Sequence, residues 1–165
     1  RIAAATRPGA RAVVLIDGRS GAGKSVLADA LHAAWPTSQL VRLDDVYPGW
    51  DGLEAGSAQV RELMLAASAP GWRGWDWVAD ESGGWHPLDA GLPLIIEGSG
   101  VLSAANRELA TFGVWVELDA VTRKRRALAR DGELYAPHWD RWATQEERFF
   151  VRERPDLLAD EIVPG

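Results

Sequence analysis

Residues Gly18 to Ser25 read Gly-Arg-Ser-Gly-Ala-Gly-Lys-Ser, a complete G-x-x-x-x-G-K-[ST] phosphate-binding loop. The flanking residues narrow the fold further. The apolar run Ala12, Val13, Val14, Leu15, Ile16 leads in, and Val26, Leu27, Ala30, Leu31 and Ala34 lead out with helical spacing. Strand, glycine loop and helix, in that order, let backbone N–H groups curl around phosphate oxygens while the helix N-terminus adds its dipole. In this frame Gly18, Ser20, Gly21, Ala22, Gly23, Lys24, Ser25 and Val26 form the nucleotide cradle. Lys24 reaches the β- and γ-phosphates, and the Ser25 hydroxyl ligates Mg²⁺. The sequence predicts binding of a nucleoside triphosphate, ATP or GTP. A glycine-rich turn with an accidental lysine is the competing reading, and the strand–helix frame argues against it.

The rest of the composition says what the partners are not. A chain of 165 residues is expected to form one domain with a substantial core over 1–165. Its net charge of −6 argues against a general nucleic-acid surface. No cysteine is present, which excludes disulfides, cysteine-ligated zinc and thiol catalysis. No apolar run approaches a membrane span and Arg1 to Ala5 does not read as a signal peptide, so a cytoplasmic protein with a trimmed start is expected. Oligomeric state is left open.

The order of elements follows from periodicity. Strands are predicted at Ala12–Asp17, Gln39–Asp44, Leu92–Glu97, Gly113–Asp119 and Glu161–Val163. Helices are predicted from Lys24 to Ala34, from Ser57 over the face Val60, Leu63, Met64 and Ala67, and from Ser103 to about Ala110. A basic helix spans Thr122–Arg130, and Thr144-Gln145-Glu146-Glu147 reads as a capping box opening a last helix that ends near Arg154-Pro155. Residues 70 to 91 show no period. Repeated βα units predict an α/β fold of three layers, a parallel sheet flanked by helices.

Ligands of such sheets bind beyond the carboxyl ends of the strands, where Asp17, Asp44, Asp45, Glu97 and Asp119 are predicted to gather. Phosphoryl transfer needs a metal, a group that orients or deprotonates the acceptor, and positive charge on the transferred group. Asp44 or Asp45 suits the acceptor role, with a turn or helix-cap aspartate as the plainer alternative. Glu97, closing an apolar strand, suits Mg²⁺ held through water. Arg123, Arg126 and Arg130 share one helical face and suit a clamp on the phosphoryl group. A solvated helix face would show the same run.

Five of nine tryptophans, Trp50, Trp72, Trp75, Trp77 and Trp85, fall between residues 50 and 85. Interleaved with Gly, Pro and Asp, they either line a pocket or form a satellite core.

Together these pieces resemble the uridine kinase/phosphoribulokinase family of P-loop kinases, over nearly the whole chain. Ile16 to Ser25 resembles the family's opening, and Asp44-Asp45-Val46-Tyr47 its Asp-Ser-Phe-Tyr segment, whose first Asp is the catalytic base. The resemblance thus implies Asp44 as base, with Tyr47 lining the acceptor pocket. Trp75-Asp76 resembles an aromatic-Asp pair that holds sugar hydroxyls, Ile95 to Gly98 the strand ending in Glu-Gly, and Asp119 through Asp131 the lid helix, which implies a short lid helix within a lid region over about 120–142. Ala159 to Gly165 resembles the closing strand and the start of the adenine-side loop. The acceptor site implied over about 45–90 then comprises Asp44, Tyr47, Trp50, Arg73, Trp75, Asp76, Trp77 and His86. His86 also reads as a loop histidine with no special role. Two departures stand out: the interval from Asp76 to Glu97 is short where uridine kinases carry a longer hairpin, and the chain closes within the adenine-side loop.

The function implied is Mg²⁺-assisted phosphoryl transfer from ATP to a hydroxyl of a nucleoside-like small molecule. Alternatives are a kinase for another small acceptor, such as a sugar, vitamin precursor or antibiotic, and a nucleotide-binding regulatory module with little catalysis.

Overall fold

In the computed structural model, which describes residues 1–6 and 10–165, a short helix α1 (Ile2–Ala5) precedes strand β1 (Val13–Asp17), buried along its full length. The glycine loop follows and α2 (Lys24–Ala34) starts from Gly23, stopping where Trp35 precedes a proline that disfavours helical backbone. Strand β2 (Gln39–Arg42) is shorter than its apolar pattern suggests, because Leu43–Asp45 turn into a single 3₁₀ turn. Helix α3 (Leu53–Gln59) begins four residues before the predicted cap Ser57 and widens into a π-turn over Val60–Met64. Ser57 is buried instead, its carbonyl accepting from Asn106 Nδ2 at 3.0 Å.

The stretch without periodicity is an antiparallel hairpin, β3 (Gly71–Asp76) and β4 (Glu81–Pro87), with an irregularity between Arg73 and Trp75. Strand β5 (Leu94–Glu97) leads to α4 (Ala104–Glu108), capped by the Ser103 side chain as its sequence implies. Strand β6 (Phe112–Glu117) ends before Asp119, which caps α5 (Ala120–Tyr135) by accepting from Thr122 N at 2.9 Å. Backbone angles of φ 57 and ψ −137 at Gly132 break α5 near its end. After a 3₁₀ turn, α6 (Trp139–Glu153) runs five residues upstream of the predicted capping box. Thr144 lies inside it and donates to Asp140 O at 2.7 Å, so that box caps nothing. A short α7 (Pro155–Leu158) and strand β7 (Glu161–Pro164) complete the order.

Five strands form one parallel sheet in the order β2-β5-β1-β6-β7, and the hairpin stands apart from it. Side chains alternate across a sheet, so β1 splits the core in two. Val13 and Leu15 pack with Tyr47, Met64, Trp142 and Phe149 on one face. Val14 and Ile16 pack with Ala28, Leu27 and Leu31 of α2 on the other. Helices thus cover both faces, giving the three-layer α/β arrangement predicted from the sequence.

Candidate active site

The glycine loop leaves the carboxyl end of β1 and lies against the first turn of α5. Gly21 has φ +81, and a Cβ there would sit 2.2 Å from Arg123 O, so only glycine fits. Lys24 Nζ reaches back over the loop to Arg19 O at 3.4 Å and across to Ser99 Oγ at 3.3 Å. Ser25 Oγ donates to Glu97 Oε1 at 2.9 Å, joining the start of α2 to the end of β5. Glu97 is buried, and burial raises its pKa; Lys24 opposes the shift and nearby Asp44 adds to it. Arg42 Nε stands 3.9 Å from the same carboxylate.

A hydroxyl and a carboxylate oxygen side by side are hard oxygen donors of the kind Mg²⁺ takes, with water and substrate phosphates completing its octahedron. Among the described residues no group of three or more His, Asp and Glu gathers to form an all-protein metal cage.

The carboxylates predicted at strand ends divide by role. Asp17 is buried and accepts from Gly18 N at 2.7 Å, Gly100 N at 3.1 Å and Leu102 N at 2.7 Å, tying the glycine loop to the loop after β5. Burial raises its pKa to about 6 against the pull of those N–H groups and Lys24. Asp44 and Asp45 are exposed on the 3₁₀ turn rather than on a strand. Asp119 is a helix cap outside the cluster.

The three arginines of α5 expected to form a clamp also part company. Arg123 is buried and faces the glycine loop, with Nε donating to Leu118 O at 3.1 Å and Nη1 to Ser20 O at 3.3 Å. Arg126 and Arg130 are exposed.

The tryptophans of this segment divide between contacts within the hairpin and contacts with α5, α6 and the core, against which Trp50 and Trp72 pack. Trp50 stacks on His138 at 4.2 Å and on Tyr135 at 5.6 Å, and leans on Trp77 at 5.0 Å. Trp77 Nε1 donates to Asp44 O at 2.8 Å, and Trp72 stacks on His86 at 4.0 Å. Arg73 Nη1 bonds Gly83 O across the hairpin, and Asp76 accepts from Val78 N and Ala79 N to close the hairpin turn. Trp75 Nε1 is buried without a hydrogen-bond partner. Tyr47 is turned inward: its ring is 1% exposed and its hydroxyl donates to Ser99 O at 2.7 Å.

Sequence reasoning passed over Arg42, Ser99 and Glu146. Glu146 is buried among Trp139, Trp142 and Phe149 of α6, a glutamate at a core position of an amphipathic helix. That misplaced polarity was the available signal, hidden because the residue fell inside an apparent capping box.

No family model matches this chain, and no curated protein sequence does. Solved structures do. A possible uridine kinase from Bacillus stearothermophilus superposes with a TM-score of 0.67 at 18% identity, over 97% of this chain and 92% of that one. A Silicibacter sp. TM1040 protein provisionally named a fructose transport system kinase gives 0.64 at 17% identity, over 99% and 95%. Shikimate kinase from Bacteroides thetaiotaomicron gives 0.52 at 14% identity, over 93% and 86%. The chain therefore has the fold of P-loop small-molecule kinases, the fold that its resemblance to the uridine kinase group implied.

Proposed function

We propose that this chain is a kinase that transfers the γ-phosphoryl group of ATP, or of GTP as the alternative donor, to a hydroxyl of a nucleoside-like small molecule. The observation that carries this reading is the convergence of Lys24, Ser25 and Glu97 at the mouth of the glycine loop, with Asp44 close enough to shift Glu97. Lys24 and the loop amides hold the phosphates. Ser25 and Glu97 hold Mg²⁺, which when bound neutralises phosphate charge. Asp44 orients the acceptor hydroxyl and takes its proton, and Arg126 and Arg130 bring positive charge from α5, the lid helix. Arg123 acts from behind, bracing Ser20.

The acceptor is bound between the 3₁₀ turn and the hairpin, which meet where Trp77 Nε1 donates to Asp44 O at 2.8 Å, with Trp75 and Asp76 on the hairpin strand β3. A non-nucleoside acceptor is the second reading, favoured by Trp50 already being stacked on His138 and Tyr135. Relatives in fold are named for uridine, fructose transport and shikimate.

The test is ADP release from Mg-ATP across nucleosides, sugars and cyclic polyols, with Asp44→Asn as control. The expected result is stimulation by one acceptor class. In the variant turnover falls about 10²-fold or more, while ADP affinity stays within about threefold. Undiminished turnover in Asp44→Asn removes the base assignment, and nucleotide binding with no acceptor response favours a regulatory module.

A further inference from the structure

One oxygen of Glu146 collects four donors. Its Oε1 lies 2.7 Å from Ser20 N, 2.8 Å from Ser20 Oγ, 2.8 Å from Ser99 Oγ and 3.0 Å from Trp142 Nε1. The residue is 5% exposed and shares its helix face with Trp142 and Phe149, which belong to the core. Burying a carboxylate is costly unless hydrogen bonds compensate, and here they come from both loops that frame the phosphate site.

The direction of those bonds matters. Lys24 is only a donor, so at Ser99 Oγ it needs a lone pair. The single Ser99 proton has two acceptors, Glu146 Oε1 at 2.8 Å and Gly18 O at 3.1 Å. The anionic oxygen is nearer and the stronger acceptor. With that proton on Glu146, the Ser99 lone pairs turn toward Lys24. Ser99 cannot drift, because Tyr47 holds its carbonyl at 2.7 Å. Ser20 is held likewise at both ends, its N–H by Glu146 and its carbonyl by Arg123 at 3.3 Å.

We infer that Glu146 is a positioning residue of the phosphate site: through Ser99 it aims the Lys24 ammonium, and through Ser20 it fixes the first half of the glycine loop. The role rests on the kinase reading for its purpose, but the geometry belongs to α6, outside the loop motif. The carboxylate already takes the Ser20 N–H and Oγ–H, so in this arrangement neither donor is turned toward a phosphate.

The test measures where Lys24 points. An acyl phosphate of ATP carries its activated carbonyl beside the terminal phosphate; the neutral form of a lysine amine aimed there attacks that carbonyl, the amide bond forms as the carbonyl–oxygen bond to the phosphate breaks, and ATP leaves with the amine's proton passing to solvent. Glu146→Gln and Ser99→Ala are compared with wild type for the rate of Lys24 acylation at saturating probe, for ADP affinity and for Tm. The expected result is acylation slowed about tenfold or more in each variant, with ADP affinity within about threefold. The double variant should be no slower than the slower single one, since both act through one relay. Should Glu146→Gln fail to fold, Glu146→Asp, which keeps the charge but withdraws the carboxylate from Ser99 and Ser20, takes its place, with the same slowing expected. Unchanged acylation overturns the proposal, as does a loss that merely tracks ADP affinity and Tm. A wild-type protein that binds no nucleotide and takes no label overturns the kinase reading, and this proposal with it.

Discussion

Asp17 ends β1 with a carboxylate shielded from solvent and held by three backbone N–H groups. Its pKa of about 6 in the folded chain lies above its ordinary value, so desolvation outweighs hydrogen bonding. In the unfolded chain the same carboxyl ionises near pH 4. Between roughly pH 4 and 6 the folded state therefore binds the extra proton, and this group's contribution to stability falls as pH rises. Above about pH 6 it becomes flat. The total change is on the order of 3 kcal/mol, from about two pKa units. Urea unfolding of wild type and Asp17→Asn at pH 4.5 and pH 7 checks this: the stability difference should shift toward the variant at the higher pH. A difference independent of pH would show that Asp17 is charged throughout, its three N–H partners having won. The same bonds explain a carboxylate immediately before the glycine loop: it anchors the loop to the β5 side, which a neutral apolar residue could not do.

Elements differ in how much of themselves they carried in the sequence. Strand β1, the loop and α2 were legible because all their signals are local: an apolar run, glycines at fixed spacing and a helical period. The hairpin of β3 and β4 was not, because most of its residues are exposed and neither strand alternates cleanly. The start of α6 was missed for a related reason. Thr144 to Glu147 carries the spacing of a cap, yet Trp139 and Trp142 upstream bury their rings in the core and extend the helix past it. Helix α5 offers a test of its own break. Gly132 holds φ 57 and ψ −137, and a Cβ built there meets nothing within 4 Å. Gly132→Ala therefore introduces backbone strain without a clash, with an expected cost of about 1–3 kcal/mol in chemical denaturation. An unchanged midpoint would mean that the break can move along α5, leaving Trp50 to set the position of Tyr135 and His138 by stacking alone.

Across the whole molecule, the parallel sheet brings residues far apart in the chain to one edge, and this decides what a sequence can reveal. The phosphate cradle is a motif of eight neighbours and reads at sight. The contacts of Glu146 span 126 residues to Ser20 and 47 to Ser99, so no local pattern announces them. Alternating βα units implied the layers, but the order β2-β5-β1-β6-β7 is what sets Glu97 beside Ser25. A site assembled from β1, β2, β5, α5 and α6 couples ligand binding to the stability of the entire fold, because unfolding any part disperses it. Mg-nucleotide at about 100 times its Kd should then add about 2.7 kcal/mol to the unfolding free energy. For a chain of this length that raises Tm by about 5–11 °C. Lys24→Ala at the same nucleotide concentration should lose most of the shift, and chelating Mg²⁺ should reduce it in wild type. A Tm indifferent to nucleotide would mean that the loop holds no phosphate. A shift that survives Lys24→Ala would mean that the nucleotide sits elsewhere on the molecule. A wild-type shift that depends on both Lys24 and Mg²⁺ ties the ligand to the cradle, because Lys24 Nζ reaches both the glycine loop at Arg19 O and the loop after β5 at Ser99 Oγ.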